Sequence, residues 1–203
     1  MGQVTERYTS VAISLHWLIA LSIVLQLASG LWMGDAIRDD ATKAFAFEVF
    51  QWHKSLGLTV LLLSLLRLAW RLGHRAPPLP EGMSLPERLA ARTTHVLFYV
   101  LMIALPMTGW LVVSTSTFGL PTLFWGLFAW PHLPVEGLEA AAKAAWHESS
   151  EELHELLAYV TIALLVLHVA AVLKHQWVDR DGVLGRMLPF ARRPLQAGHR
   201  QRG

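Results

Sequence analysis

Four long apolar stretches, each closed by charge or by proline and glycine, decide what this chain can become. They run over 11–33, 53–70, 96–113 and 156–173. Each approaches the roughly 20 residues that a helix needs to cross a bilayer. Backbone amides inside lipid must be paired within their own segment, which leaves helices or a closed barrel. Apolar runs of this length, without strand-like alternation, select helices. The expected fold class is therefore all-α, an integral membrane four-helix bundle. Composition agrees, with 54% hydrophobic and only 16% charged residues, where a soluble domain carries about 25% charge. The first stretch exceeds the about 7–15 residues of a signal-peptide core and no small-residue cleavage pattern follows, so it reads as a retained span.

Charge placement orients the bundle. With the N-terminus in the cytoplasm, thirteen of the seventeen Lys and Arg residues fall at the inner side, and only Arg38, Lys43, Lys54 and Lys143 fall outside. That asymmetry predicts cytoplasmic N- and C-termini. Ten acids, from Asp35 to Glu155, gather on the outer side. Pro106 and Gly109 predict a local kink in the third span. The segment 118–134 is aromatic but broken by Pro121, Pro131 and Pro134, and is expected to lie along the outer interface. An acidic, alanine-rich helix over 135–152 should lead into the fourth span. The domain boundary falls after residue 178: residues 1–178 form the membrane domain, and 179–203 a basic, poorly ordered cytoplasmic tail.

The chain has no cysteine. Disulfides, thiolate-bound iron–sulfur clusters and covalent haem attachment are thereby excluded. It has ten histidines, two of which, His154 and His168, stand 14 residues apart in the fourth span. At about 100° and 1.5 Å per residue that spacing puts both on one face, roughly 21 Å apart. Ionisable side chains within lipid are expensive and usually functional. Depth then pairs each with a partner. His16 lies about five residues past the inner start of span one, and His168 about five before the inner end of span four. His53 and His154 both open their spans at the outer side. Two facing pairs, His16 with His168 and His53 with His154, are what two stacked haems b would need as axial iron ligands.

Other residues extend this reading. Arg67, 14 residues after His53 on the same helix face, can pair with a propionate of the inner haem, with Arg71 one turn later. Both arginines also serve positive-inside anchoring, which is the better account of Arg71. Gly57, one turn after His53, either clears space for a macrocycle or allows close helix packing. His95 is either an interfacial helix-opening residue or a polar neighbour of the inner haem or of a quinone. His175, one heptad beyond His168, either binds a quinone carbonyl and relays protons or faces the headgroups. His147 rivals His154 for the outer haem but sits among acids above the hydrocarbon, so His154 is preferred. His74, His132 and His199 receive no role.

The stretches SLHWLIA (14–20), WHKSLGL (52–58), LLRLAWR (65–71), THVLFYVLMIALPMTGW (94–110) and HELLAYVTIALLVLHVAAVLKH (154–175) together resemble the bacterial cytochrome b-561 family of small four-span di-haem proteins. The likeness touches all four spans and leaves the outer loops and the tail unmatched. It implies haem ligation by His16, His53, His154 and His168, in a multi-pass protein of the bacterial inner membrane. It also implies electron exchange with ubiquinone near the inner haem. Some members are superoxide oxidases, which take electrons from superoxide outside and reduce quinone with cytoplasmic protons.

The expected function is accordingly a superoxide:quinone oxidoreductase, with Lys54 beside His53 as the positive group at the substrate entrance. An anion is drawn to positive charge, yet ten acids and four bases face the outer side, which weighs against superoxide. The alternative is an electron-carrier subunit that passes electrons from a partner dehydrogenase or hydrogenase to quinone, with 118–134 as a docking surface. A haem-free metal or proton transporter would gather its histidines with carboxylates at one midplane site. Here they sit at two levels with no acid in the hydrocarbon. The expected partners are the bilayer, a quinone, and superoxide or a donor protein; no nucleic-acid partner is expected.

Overall fold

The computed structural model describes residues 7–80 and 82–189. Four helices dominate: α1 (Ser10–Ala36), α2 (Lys43–Gly73), α3 (Leu85–Thr115) and α4 (Ala140–Lys174). All four are long and apolar enough to cross a membrane. At 27, 31, 31 and 35 residues they outrun the four stretches read from hydropathy. The excess lies mainly at polar ends, because a helix continues past the lipid boundary wherever its backbone pairing is undisturbed. Side chains such as Leu21, Leu66 and Leu167 face outward and exposed, as lipid-facing residues do.

Local chemistry sets the helix ends. The Thr9 hydroxyl accepts a hydrogen bond from the Ala12 amide and caps α1. Ser84 and Glu87 form a reciprocal capping box at the start of α3, with Pro86 in the first turn, where its missing amide is harmless. The helices pack in chain order, α1 on α2, α2 on α3 and α3 on α4. Close backbone packing of α4 is concentrated on α3. Towards α1 and α2 it meets histidine rings across a wider gap, 6.5 Å between His16 and His168 and 6.3 Å between His53 and His154.

The aromatic segment after α3 does not lie flat. Strands β1 (Thr122–Phe124) and β2 (Phe128–Trp130) pair antiparallel, with Leu123 opposite Ala129. Trp125 and Gly126 take positive φ at the turn. The hairpin folds back along α2, because α2 supplies partners for its backbone. The Ser55 hydroxyl donates to the Leu123 carbonyl and accepts from the Trp125 amide, both at 3.0 Å. The Trp125 indole donates to Thr59, at 3.0 Å. In a bilayer such partners are what permit a non-helical segment.

Beyond the boundary drawn after residue 178, the described chain stays on the bundle. A π-helical turn (His175–Asp179) and a 3₁₀ turn (Leu184–Arg186) follow α4. The Trp17 indole donates to the Met187 carbonyl at 2.8 Å, which holds 184–187 against α1. The Arg186 guanidinium likewise donates to the Pro78 carbonyl at 2.6 Å, so this segment lies against the bundle. The remainder of the tail, 190–203 with His199, lies outside the described residues.

Candidate functional site

The histidines of α4 organise the interior. His154 faces His53 of α2 and His168 faces His16 of α1, with centroid distances of 6.3 and 6.5 Å. Two imidazoles on one metal, each bonded at about 2.0 Å with the nitrogen about 1 Å from the ring centre, would sit roughly 6 Å apart. Both pairs match that separation. His95 stands from His168 at a like separation, 6.2 Å, so distance alone leaves two partners for that ring.

Each member of the first pair has one nitrogen already engaged. His53 Nδ1 lies 3.1 Å from the Ser29 hydroxyl, and Ser29 in turn donates to the Gln26 carbonyl. His154 Nδ1 lies 3.0 Å from both the Leu105 carbonyl and the Thr108 hydroxyl. Since a carbonyl only accepts, His154 carries its proton on Nδ1. The same tautomer suits His53, whose serine partner has spent its own proton on Gln26. Both rings then present an unprotonated Nε2, the form in which imidazole binds a metal.

Two glycines complete the seat. A methyl at Gly30 would stand 3.2 Å from the His53 ring, and one at Gly109 would stand 3.1 Å from the His154 ring. In the sequence Gly109 marks only a kink, and Gly30, Ser29 and Thr108 take their roles from the packing. The signal was present: polar and small residues at Gln26, Ser29 and Gly30 interrupt an apolar span. Gly57 behaves otherwise. A methyl there would meet the Gln26 amide nitrogen at 2.9 Å, and that amide donates to the His53 carbonyl at 3.0 Å. Gly57 lines the cavity, but the space it frees belongs to Gln26, so of its two readings close helix packing describes the contact.

A cavity of about 670 Å³ opens between His53 and His154, walled by Gly30, Gly57, Phe50 and Pro106. That is the size range of cofactor sites. The ring separations, the engaged Nδ1 atoms and the two glycines together fit a haem held by His53 and His154. Lys54 lines the same cavity but is buried under the hairpin instead of standing at an open mouth. Its ammonium donates to the Pro121 carbonyl at 2.9 Å and sits over the Phe50 ring.

The other pair is built differently. His168 is flanked by His95 as well as His16, with His95 at 6.2 Å and Phe98 at 5.4 Å between centroids. His95 Nδ1 is engaged by its own helix, 2.7 Å from the Ala91 carbonyl. Arg67 lies within electrostatic reach of His16, His95 and His168 and donates to the Tyr99 hydroxyl at 3.4 Å. Arg71 instead donates to the His74 carbonyl, 3.2 Å away, consistent with an anchoring role. His147 is not part of either pair. Its Nδ1 lies 3.0 Å from the Val112 carbonyl and 3.3 Å from the Thr115 hydroxyl, the His154 arrangement repeated one heptad along α3 and α4. His175 is buried against two carboxylates, Asp179 and Asp181.

The model for prokaryotic cytochrome b561 matches residues 7–190. The chain belongs to the prokaryotic cytochrome b561 family. Its relatives include cytochrome b561 homolog 2 of Escherichia coli, 34% identical over 90% of this chain and 92% of that protein. A probable superoxide oxidase of Yersinia pestis is 27% identical over 92% of this chain and 98% of its own length. Cytochrome b562 of Cereibacter sphaeroides is 28% identical over 89% of this chain and 94% of its own. Membership makes this multi-pass membrane protein a b-type haem protein of electron transfer, in agreement with the resemblance read from its histidine motifs.

Proposed function

We propose that this cytochrome b561 carries two haems b across the bacterial inner membrane, oxidises superoxide outside and reduces ubiquinone near the cytoplasmic side. The single observation that carries the reading is the pair of histidine couples, at 6.3 and 6.5 Å, on α4. In this assignment His53 and His154 hold the outer haem and His16 and His168 the inner one, with both termini in the cytoplasm. Haem held by these four histidines would supply one-electron exchange.

The protein's own residues do the rest. Ser29, Thr108 and the Leu105 carbonyl fix the ligand tautomer and ring orientation, so little rearrangement accompanies electron transfer. Arg67 supplies positive charge for a propionate of the inner haem. The wall of the outer cavity carries Lys54 and Arg38 against Asp35, Glu151 and Glu155, with Arg38 3.7 Å from Asp35. Lys54 is the positive group that supports attraction of a small anion there, against an acidic balance. At the inner end, His95 and His175 are placed to bind a quinone carbonyl and to pass protons to it. The net step is two superoxide anions, one quinone and two protons giving two dioxygen molecules and one quinol.

The acidic outer balance favours a second reading, an electron-carrier subunit served by a partner dehydrogenase or hydrogenase. Exposed Phe118 and Leu127 beside the hairpin support docking of such a partner. A difference spectrum of the purified protein separates the two. Superoxide should reduce haem b, counted at two per chain by pyridine haemochrome, and added ubiquinone should reoxidise it. Haem that superoxide leaves oxidised sinks the first reading in favour of the second.

A further inference from the structure

At the cytoplasmic end of α4, as oriented above, the helix does not simply stop. It widens into one π-helical turn over His175–Asp179. Such turns cost backbone pairing and are frequent at functional sites. Arg180 follows with φ 54° and ψ 36°, a left-handed conformation that a non-glycine residue adopts at a cost of about 1 kcal/mol or more. Together these turn the chain back on itself. The outcome is that Asp181 reaches His175, its carboxylate 2.7 Å from Nδ1, with Asp179 at 3.0 Å.

The two carboxylates are not equivalent. Asp179 is already paired with Lys174, whose ammonium lies 2.7 Å away and also binds Glu87 of α3 at 2.7 Å. Asp181 is held instead by a backbone amide, that of Val183, at 3.1 Å. Its remaining oxygen faces His175. The groups around this imidazole are therefore Asp179, Asp181 and Lys174 from its own end of the helix, with Glu87 reached from α3 through Lys174. His175, Asp179 and Asp181 are also close enough together to hold a cation, but Lys174 already supplies Asp179 with one. His175 itself is nearly buried, one heptad and about 10 Å beyond His168.

We propose that Asp181 is the positioning residue for His175 in quinone reduction: its carboxylate fixes the proton on Nδ1, aims Nε2 at the quinone oxygen, and balances the imidazolium while a proton passes. The inference rests on the reading of His175 as the quinone-side proton relay. Quinone takes up two electrons, delivered one at a time from the inner haem, and two protons from the cytoplasm, and leaves as quinol. His175 hands over a proton at Nε2 and is reprotonated from water at the cytoplasmic face.

The test uses the purified holoprotein in nanodiscs, with pre-reduced haem and a soluble ubiquinone analogue as oxidant. Asp181→Asn should lower kcat about tenfold or more with KM for the quinone within about twofold, and enlarge the solvent deuterium isotope effect. Haem content, haem spectrum and reduction by dithionite should stay as in wild type. Asp181→Glu should recover most of the rate. Asp181→Asn combined with His175→Gln should be no slower than His175→Gln alone, since the aspartate acts through the histidine. Wild-type turnover in Asp181→Asn, or additive losses in the double variant, would overturn the proposal. Wild-type protein whose reduced haem ubiquinone cannot reoxidise would bring down the quinone reading beneath it, a failure visible before any variant is made.

Discussion

His154 and Thr108 are joined by a hydrogen bond of 3.0 Å across the α3–α4 interface, and the Leu105 carbonyl reaches the same imidazole nitrogen. The chemical sense of the A-L-P-x-x-G run is contained in that contact. Pro106 has no amide to donate, so the Met102 carbonyl one turn earlier loses its helical partner. Leu105 turns its carbonyl to His154, Thr108 adds a hydroxyl, and Gly109 removes the methyl that would collide with the ring. The run makes a seat for one histidine.

The ligand assignment predicts a count. Replacing His154 or His53 by Ala should lower the haem b content from two per chain to one, and so should His16→Ala, with the other haem retained. His147→Ala should keep both haems, because its ring pairs with no second histidine among the described residues. His95→Gln decides the one crowded case. The His95 and His16 rings are 6.2 and 6.5 Å from His168, and depth assigns the ligand role to His16. A variant His95→Gln that loses a haem while His16→Ala keeps both would reverse that assignment. The measurement is a pyridine haemochrome assay per mole of purified chain.

The glycine contacts predict a sign. Gly→Ala within a helix usually stabilises by about 1 kcal/mol. Gly109→Ala and Gly30→Ala should do the opposite, because a methyl at 3.1 or 3.2 Å from a ligand ring displaces that ring. Gly73→Ala, at the end of α2 and outside the cavity, whose methyl meets nothing within 4 Å, is the control and should leave both haems in place. Haem retention on gel filtration and the low-spin signal in electron paramagnetic resonance read the difference. Unaltered spectra in both ring-facing variants would refute the account of these glycines.

The helices and the histidine pairs were legible because both follow from periodicity. Hydropathy over about 20 residues marks a span, and equal depth sets His16 level with His168 on antiparallel spans and His53 level with His154 on parallel ones. The cradles were harder to see. Ser29 and Thr108 matter because of which carbonyl or ring lies opposite on another helix, and one sequence does not state helix rotation. Gly57 shows the same limit: its place one turn from His53 permitted a ring or a helix as neighbour, and a glutamine from α1 took the space. The hairpin was missed because prolines and aromatics mark only an interruption. Its direction depends on Ser55 and Thr59, polar residues lying inside an apolar stretch of α2.

That dependence gives a third prediction. Ser55 is almost fully buried and serves both the Leu123 carbonyl and the Trp125 amide. Ser55→Ala should leave the Trp125 amide without its partner, while the Leu123 carbonyl keeps the Gly126 amide at 3.3 Å, and destabilise the protein by about 1–2 kcal/mol. Ser55→Cys, a weaker donor and acceptor of similar size, should fall between. Thermal melting in detergent followed by tryptophan fluorescence measures the change. Because the hairpin also carries Pro121, the partner of Lys54, its release should raise the rate at which Lys54 reacts with an amine-directed reagent.

Arg67 yields the last prediction, and it concerns energy instead of occupancy. A positive charge near His16, His95 and His168 favours the reduced, less positive state of any iron held there. Arg67→Gln should therefore lower the midpoint potential of the inner haem while leaving that of the outer haem within error. A loss of interaction worth one tenfold change in the equilibrium corresponds to about 59 mV for a one-electron couple. A fall of that order is expected in a low-dielectric interior, where a unit charge several ångströms away acts with a few kcal/mol. Arg67→Lys, which keeps the charge but loses the guanidinium fork, should recover most of the potential if charge is what matters. Arg71→Gln should shift it less, since that side chain is turned to the His74 carbonyl. Potentiometric titration in the visible band resolves the two haems. Equal shifts of both, or none, would show that Arg67 acts as a membrane anchor only.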